Sequence, residues 1–372
     1  MKRRPPRKTG RVIMSALPLG YGPAAKLVVI AGELRRLGAA PVFVGRGIAH
    51  ELAARSGVFE DVVDDPAGSR ACGLLDGAAA AVSLMDREFA ALALESGTPL
   101  HVVDSLLWMR ADVPEEFTAG RHLWAQDFFG VRQRAAQLQS APTVVGPIVG
   151  PAHRPRRNGG AGLVVNLGGY ASAYSGNGSD GTYAEFVVRG ILASPWAAGS
   201  GGSVTVLGGA RCVAECARRH PGLRCDSLPH SDSCDAFANA AAVLTAPGLT
   251  ATLECFESGV PTFFLPPENY SQWLILEHLR QAGLAPGAFH WRDCGEEGIG
   301  PGLTMEERVP RVQAAIARGA ADPGAASGFQ AALAAYSGMN GSALAQRQGA
   351  WYSSLGACGS GEIAAGILNR EQ

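Results

Sequence analysis

Lysine is nearly absent from this chain of 372 residues: Lys2, Lys8 and Lys26 are the whole supply, and arginine carries the remaining positive charge. Charged residues of either sign amount to 17%, and the formal net charge is −1. No global field therefore draws in nucleic acid or an anionic membrane. No apolar run approaches the ~20 residues that a membrane-spanning helix needs. The apolar stretch Val12–Leu19 behind the basic start contains Pro18 and meets a glycine-rich turn instead of a small-residue cleavage site. That argues against an export signal and for a cytoplasmic protein. D-x-D, a pair of acids often used to hold a metal ion, does not occur.

Hydrophobic residues reach 47%, the signature of a well-buried globular protein. The 49 glycines and 23 prolines follow no period, so they mark tight turns between short elements. The eight cysteines sit in a long chain with a core of its own, so they read as reduced thiols. Cys212 and Cys216 have no second pair at zinc-finger spacing and read as small core residues of one helix.

Such a length fits two domains better than one. In the first half, strand patterns at Arg11–Ala16, Pro41–Val44, Ala79–Leu84, Leu100–Val103, Leu123–Trp124 and Val144–Val145 alternate with helical ones. The helices are predicted at Pro23–Leu37, Ala49–Ser56, Arg87–Glu95 and near Val131–Leu138. Pro147–Gly162, with its prolines, arginines and glycines, has the composition of a linker. The alternation then restarts, with strands expected at Leu163–Leu167, Ser203–Leu207, Leu223–Cys225, Ala242–Thr245 and Thr262–Leu265, and helices between them at Tyr183–Ile191, Ala210–Arg219, Ser233–Ala240, Thr250–Ser258 and Ser271–Ala282. Repeated βα units imply parallel sheets with right-handed crossovers. The fold class is thus α/β, with two Rossmann-like domains at residues 1–150 and 163–340. A helical segment at 341–372 would pack back on the first. The acidic pairs Asp64-Asp65, Glu296-Glu297 and Glu306-Glu307 read as solvated surface.

The strongest chemical signal is Ala246-Pro-Gly-Leu-Thr-Ala-Thr-Leu-Glu254, followed by Ser258-Gly-Val-Pro261 and Pro266-Pro-Glu-Asn-Tyr-Ser-Gln272. It describes a strand, a glycine turn, and a helix opening on Thr250 and Thr252. Free amides and the helix dipole at such an opening suit a diphosphate. Gly248 would allow close backbone approach, and Glu254, one turn in, could accept from a ribose diol. Asn269, Ser271 and Gln272 could hydrogen-bond sugar hydroxyls. An ordinary βαβ unit with a capped helix would contain the same parts singly; here they occur together and in order. Gly168 and Gly169, with Tyr170 beside them, follow another strand and would line the same crevice.

This segment resembles the donor-binding region of GT-B glycosyltransferases, including the enzyme that adds N-acetylglucosamine to the lipid carrier of peptidoglycan synthesis. The resemblance covers residues 163–285 best. It implies two Rossmann-like domains facing across a cleft. It also implies that Gly248, Thr250, Thr252, Glu254 and Gln272 touch the donor's phosphate, ribose or sugar. The usual acidic-Gln or His-Gln ending is replaced here by Tyr270-Ser271-Gln272. Further elements, Val103-Asp-Ser-Leu-Leu-Trp-Met109, Ala125-Gln-Asp-Phe128 and Val145-Gly-Pro-Ile148, are similar to cytosylglucuronic acid synthases of nucleoside-antibiotic pathways. That likeness implies UDP-glucuronate as donor and cytosine as acceptor.

In the first half, Gly20, Gly22 and Ala25 match G-x-G-x-x-A, a dinucleotide fingerprint. Gly45-Arg46 stands where its acidic ribose partner is expected, which keeps an NADP-dependent oxidoreductase open as a rival reading. Lys26, just inside the helix after this turn, is badly placed for the helix dipole and could serve a phosphate or carboxylate. An inverting transfer needs a base; Asp86, Asp104 and Asp127 stand at strand ends, with His50 as an outsider. The expectation is a metal-independent, inverting transfer from a UDP-sugar to a small acceptor, the nucleotide-sugar being a co-substrate and no cofactor being required. A nucleotide-sugar hydrolase or epimerase of the same fold is a further alternative.

Overall fold

The computed structural model describes residues 10–65, 67–150, 162–169, 181–196, 203–295, 299, 303 and 305–369. The basic start, Tyr170, Glu296-Glu297 and the centre of the linker lie outside them. The chain divides into two compact units. One runs to Gly150 and takes the chain back from Leu355; the other lies between, from Pro151 to Ser354.

In the first unit the order is β1 (Arg11–Ala16), α1 (Tyr21–Arg36), β2 (Ala40–Gly45), α2 (Gly47–Ser56), β3 (Asp61–Asp64), α3 (Ser69–Leu75), β4 (Ala80–Leu84), α4 (Arg87–Glu95), β5 (Leu100–Asp104), α5 (Glu115–Thr118), β6 (His122–Gln126), α6 (Val131–Ala135) and β7 (Thr143–Val145). The seven strands lie parallel in the order β3-β2-β1-β4-β5-β6-β7. β4 and β5 are buried along their whole length, as strands covered by helices on both faces must be. Val12, Ile13, Leu27, Ile30, Val82 and Val102 are all 0% exposed in this core. Each such side chain contributes about 1.5–3 kcal/mol by leaving water.

The second unit holds β8 (Leu163–Asn166), α7 (Thr182–Leu192), β9 (Val204–Leu207), α8 (Ala210–Arg219), β10 (Arg224–Asp226), α9 (His230–Ala238), β11 (Ala242–Thr245), α10 (Leu249–Ser258), β12 (Thr262–Phe264), α11 (Tyr270–Gln281), α12 (Met305–Ala321), α13 (Pro323–Ser337) and α14 (Gly341–Ser354). Its parallel sheet runs β10-β9-β8-β11-β12. The last helix, α15 (Ser360–Leu368), belongs to the first unit and packs on α1. On the outer side of β12, the Gln348 amide of α14 accepts from the Thr262 N–H at 3.2 Å and donates to the Thr262 carbonyl at 2.7 Å. One step along the strand, the Tyr336 hydroxyl of α13 donates to the Phe264 carbonyl at 3.1 Å.

Two departures from the sequence reading have local causes. Asp65 is not solvated: it is 4% exposed, and its Oδ2 accepts from the amides of Arg70 and Ala71 at 2.9 and 2.8 Å. It thereby serves the opening turn of α3, a helix without an apolar period strong enough to announce itself. Helix α9 begins at His230, one turn before the predicted Ser233, with Pro229 ahead of it. All eight cysteines are thiols.

Candidate functional site

In an open parallel sheet, ligands collect at the carboxyl ends of the strands where the strand order reverses. In the second unit that point lies between β8 and β11. There the Asn166 amide donates to Thr245 Oγ1 at 3.0 Å, and Asn166 Oδ1 accepts from the Gly168 amide at 3.1 Å. Gly168 has φ 74°, and its carbonyl accepts from the Gly209 amide at 3.2 Å, so the loops after β8 and β9 are tied together. Gly169 follows, half-buried.

After β11 the chain makes a tight turn, with the Gly248 amide donating to the Ala246 carbonyl at 2.7 Å, and α10 begins. Gly248 is the N-cap in an extended conformation that any residue adopts. A Cβ there would meet only the Gln272 amide at 3.9 Å and the Ala246 carbonyl at 4.0 Å. Thr250 lies in this turn. Thr252 is 0% exposed, and its Oγ1 is buried without a hydrogen-bond partner.

Glu254 is 8% exposed, and its Oε1 lies 2.6 Å from His230 Nε2 at the start of α9. Cys234, one turn further along α9, places its Sγ 3.7 Å from the same nitrogen. The Pro-Pro loop after β12 brings up a second acid. Glu268 Oε1 accepts from Gln272 Nε2 at 2.9 Å while Gln272 Oε1 accepts from the Glu268 amide at 3.0 Å. The other oxygen of Glu268 is buried without a hydrogen-bond partner. Burial pushes this carboxyl up to about 8, so it is largely a neutral acid at pH 7. It lies beside the glycine loop; a Cβ on Gly168 would stand 3.1 Å from its Oε1. Asn269 is the N-cap of α11, its Oδ1 accepting from the Gln272 amide at 3.0 Å and the Ser271 hydroxyl at 2.8 Å. Gln272 is 5% exposed. The fold thus gathers Gly168, Gly248, Thr250, Glu254 and Gln272 around one strand edge, and adds His230 and Glu268, which the sequence reading did not single out.

The first unit reverses its strand order between β1 and β4. Here Ser15 Oγ donates to Asp86 Oδ2 at 2.7 Å, and Asp86 Oδ1 caps α4 by accepting from the Phe89 amide at 3.1 Å. The preceding residue, Met85, has φ 60° and is the one non-glycine residue with positive φ among those described. Such strain persists only where the surroundings impose it. Asp104 is 0% exposed, bonded to the Leu106 amide and paired with Arg110. Asp127 is 5% exposed and paired with Arg132 at 2.7 Å. His50 is half-buried on α2. Gly20 is the N-cap of α1 with φ 71°, whereas Gly22 lies inside the helix. Lys26 is 2% exposed and is not an unpaired charge. Arg46, which would receive a 2′-phosphate, pairs with Glu88 at 2.8 Å.

No protein-family model and no curated protein matches the chain. Solved structures do. CalG4, the calicheamicin glycosyltransferase, superimposes with a TM-score of 0.51 at 14% identity, covering 98% of this chain and 100% of its own. SsfS6, a glycosyltransferase of Streptomyces sp. SF2575, gives a TM-score of 0.52 at 13% identity, covering 96% and 99%. The fold is therefore the α/β GT-B fold of glycosyltransferases, with its two parallel sheets and surrounding helices. No helix among the described residues is long and apolar enough to cross a membrane.

Proposed function

We propose that the protein is an inverting glycosyltransferase that takes a UDP-sugar as donor and a small molecule as acceptor. The observation that carries the reading is the assembly at the β8/β11 edge of a helix N-terminus, a buried carboxylate and an amide. The first-turn amides of α10 would receive the diphosphate, Glu254 the ribose diol, and Gln272 a sugar hydroxyl. A neutral Glu268 would add a hydrogen-bond donor without repelling the anion. In transfer, the acceptor's nitrogen or oxygen attacks the anomeric carbon, the bond from that carbon to the diphosphate oxygen breaks, and UDP leaves with the electron pair. The α10 amides stabilise the growing negative charge, in place of a metal. The acceptor's proton needs a base. Asp86 is our choice over Asp104 and Asp127, because it is half-buried beside a strained residue while the other two are closed into arginine pairs.

The finer reading, UDP-glucuronate as donor and cytosine as acceptor, is supported by the likeness of the three first-unit segments. They converge at the ends of β5, β6 and β7, where Trp108 and Phe128 stand with ring centroids 5.4 Å apart and could stack on a flat base. Incubation with UDP-glucuronate, with and without cytosine, tests it. UDP released only with cytosine present, undiminished by EDTA, is the expected result. UDP released without any acceptor would mean a hydrolase. Failure of UDP to bind in calorimetry would remove the donor site altogether.

A further inference from the structure

Beside the edge just described, His230, Cys234 and Glu254 bring an imidazole, a thiol and a carboxylate together, their donor atoms all within 4.8 Å of one another. His230 and Cys234 are four apart on α9, so one helix face presents both. Glu254 comes from α10, which packs against α9. All three are largely enclosed: Cys234 is 7% exposed, and the side chains of His230 and Glu254 are 13% and 8% exposed.

We propose that these three residues bind a zinc ion, and that the bound ion blocks the nucleotide. With bonds of about 2.0–2.3 Å, the donor atoms of a tetrahedral zinc site lie roughly 3.2–3.8 Å apart. The Sγ to Nε2 distance of 3.7 Å already fits, and the Nε2 to Oε1 distance of 2.6 Å must open by roughly half an ångström. A thiolate with an imidazole selects zinc over magnesium or calcium, which prefer oxygen alone. Three protein ligands leave a fourth position for water. The proton balance is simple. Only the thiolate ligates zinc, so binding releases the Cys234 thiol proton to solvent. His230 binds through Nε2, so the Nε2 hydrogen that its 2.6 Å contact with the Glu254 carboxylate requires moves to Nδ1 or to solvent. Blocking rests on the donor reading above: a carboxylate that ligates zinc no longer receives a ribose. Zinc would then act as an inhibitor of an enzyme that needs no metal for transfer.

The test uses the full-length, metal-free protein. Cobalt(II) should produce a thiolate-to-cobalt charge-transfer band, and zinc should displace it. Calorimetry of zinc in two buffers of different ionisation enthalpy should report at least one proton released per ion, that of the Cys234 thiol. Cys234→Ala should abolish the band and weaken zinc by roughly 100-fold or more, with UDP affinity unchanged when metal is absent. In the native protein, zinc should raise the apparent Kd for UDP, and a chelator should restore it. The same zinc should leave UDP binding to Cys234→Ala unaffected, which also controls for zinc held by the diphosphate itself. His230→Gln repeats the loss of zinc with a different ligand removed. A cobalt band or zinc affinity that survives Cys234→Ala would sink the metal site. Equal UDP affinity with and without bound zinc would sink the blocking role. If UDP binds neither form, the donor reading falls with the blocking role, and the cobalt band still decides the site.

Discussion

Both sheets run outward from their first strand in the same order, yet the two units treat the gap beside that strand differently. In the first unit the gap between β1 and β4 is spanned by a serine bonded to Asp86, a carboxyl group next to a strained backbone. In the second, the gap between β8 and β11 is spanned by Asn166 and Thr245, both neutral. A negative charge at the first gap repels phosphate and can accept a proton. A neutral gap flanked by the opening turn of α10 can receive an anion. One topology used twice thus offers two kinds of chemistry, and the difference lies in a few side chains.

The comparison breaks most visibly if Asp86 is removed. Asp86→Asn should lower kcat by roughly 10²–10⁴-fold while leaving UDP affinity in calorimetry unchanged. Equal loss of UDP binding would erase the division of labour between the units.

Next in size is the pH response of the second unit. Glu268 keeps its proton up to about 8, well above the usual value of 4.5. Between these values the folded protein holds a proton that the unfolded chain has lost. The stability from this group is therefore full below about pH 4.5 and is lost as pH rises through about 8. Glu268→Gln should remove that loss, gaining up to roughly 4 kcal/mol on the native protein by pH 8. Chemical denaturation of the two at pH 5 and pH 8 measures it; a constant difference would show that the carboxyl ionises freely. His101, in the first unit, works the other way. Burial lowers it to about 4, so its contribution is present above 6.5 and is lost as pH falls through about 4.

Glu254→Ala should weaken UDP by roughly 1.5–3 kcal/mol if a charged hydrogen bond to ribose is lost. Unchanged affinity in a folded variant would take Glu254 out of the site. The smallest expected effect sharpens the comparison within the first unit. Lys26→Met should shift the kcat/KM ratio of UDP-glucuronate to UDP-glucose by roughly 10–100-fold, or about 1.4–2.7 kcal/mol. Equal losses with both donors would assign this buried ammonium to the fold.

What was legible in the sequence follows from how locally each feature is encoded. β1, α4, α8 and β11 match their predicted limits because apolar residues and turn signals bracket them directly. β3 was not predicted: Asp61–Asp64 is a short edge strand with acids at both ends. The Gly248–Glu254 turn could be read because it is contiguous. The His230–Glu254 pair could not, since its halves are separated by a helix and a strand. A helix beginning at Ser233 would put His230 in a loop, out of step with Cys234; the observed start at His230 aligns the two. Nothing in the sequence marks Glu268, because its neutrality comes from burial around it, not from its neighbours in the chain.

The amide of Gln348 and the hydroxyl of Tyr336 occupy the outer rim of β12, the last strand of its sheet. An uncovered rim is a template on which a strand of another molecule can grow, and the apolar Thr262–Phe264 would make it a sticky one. Gln348 imitates a peptide group and fills the donor and acceptor of Thr262 at once. The two helical side chains therefore act as a terminator for the sheet, and keep one copy of the chain from recruiting the next.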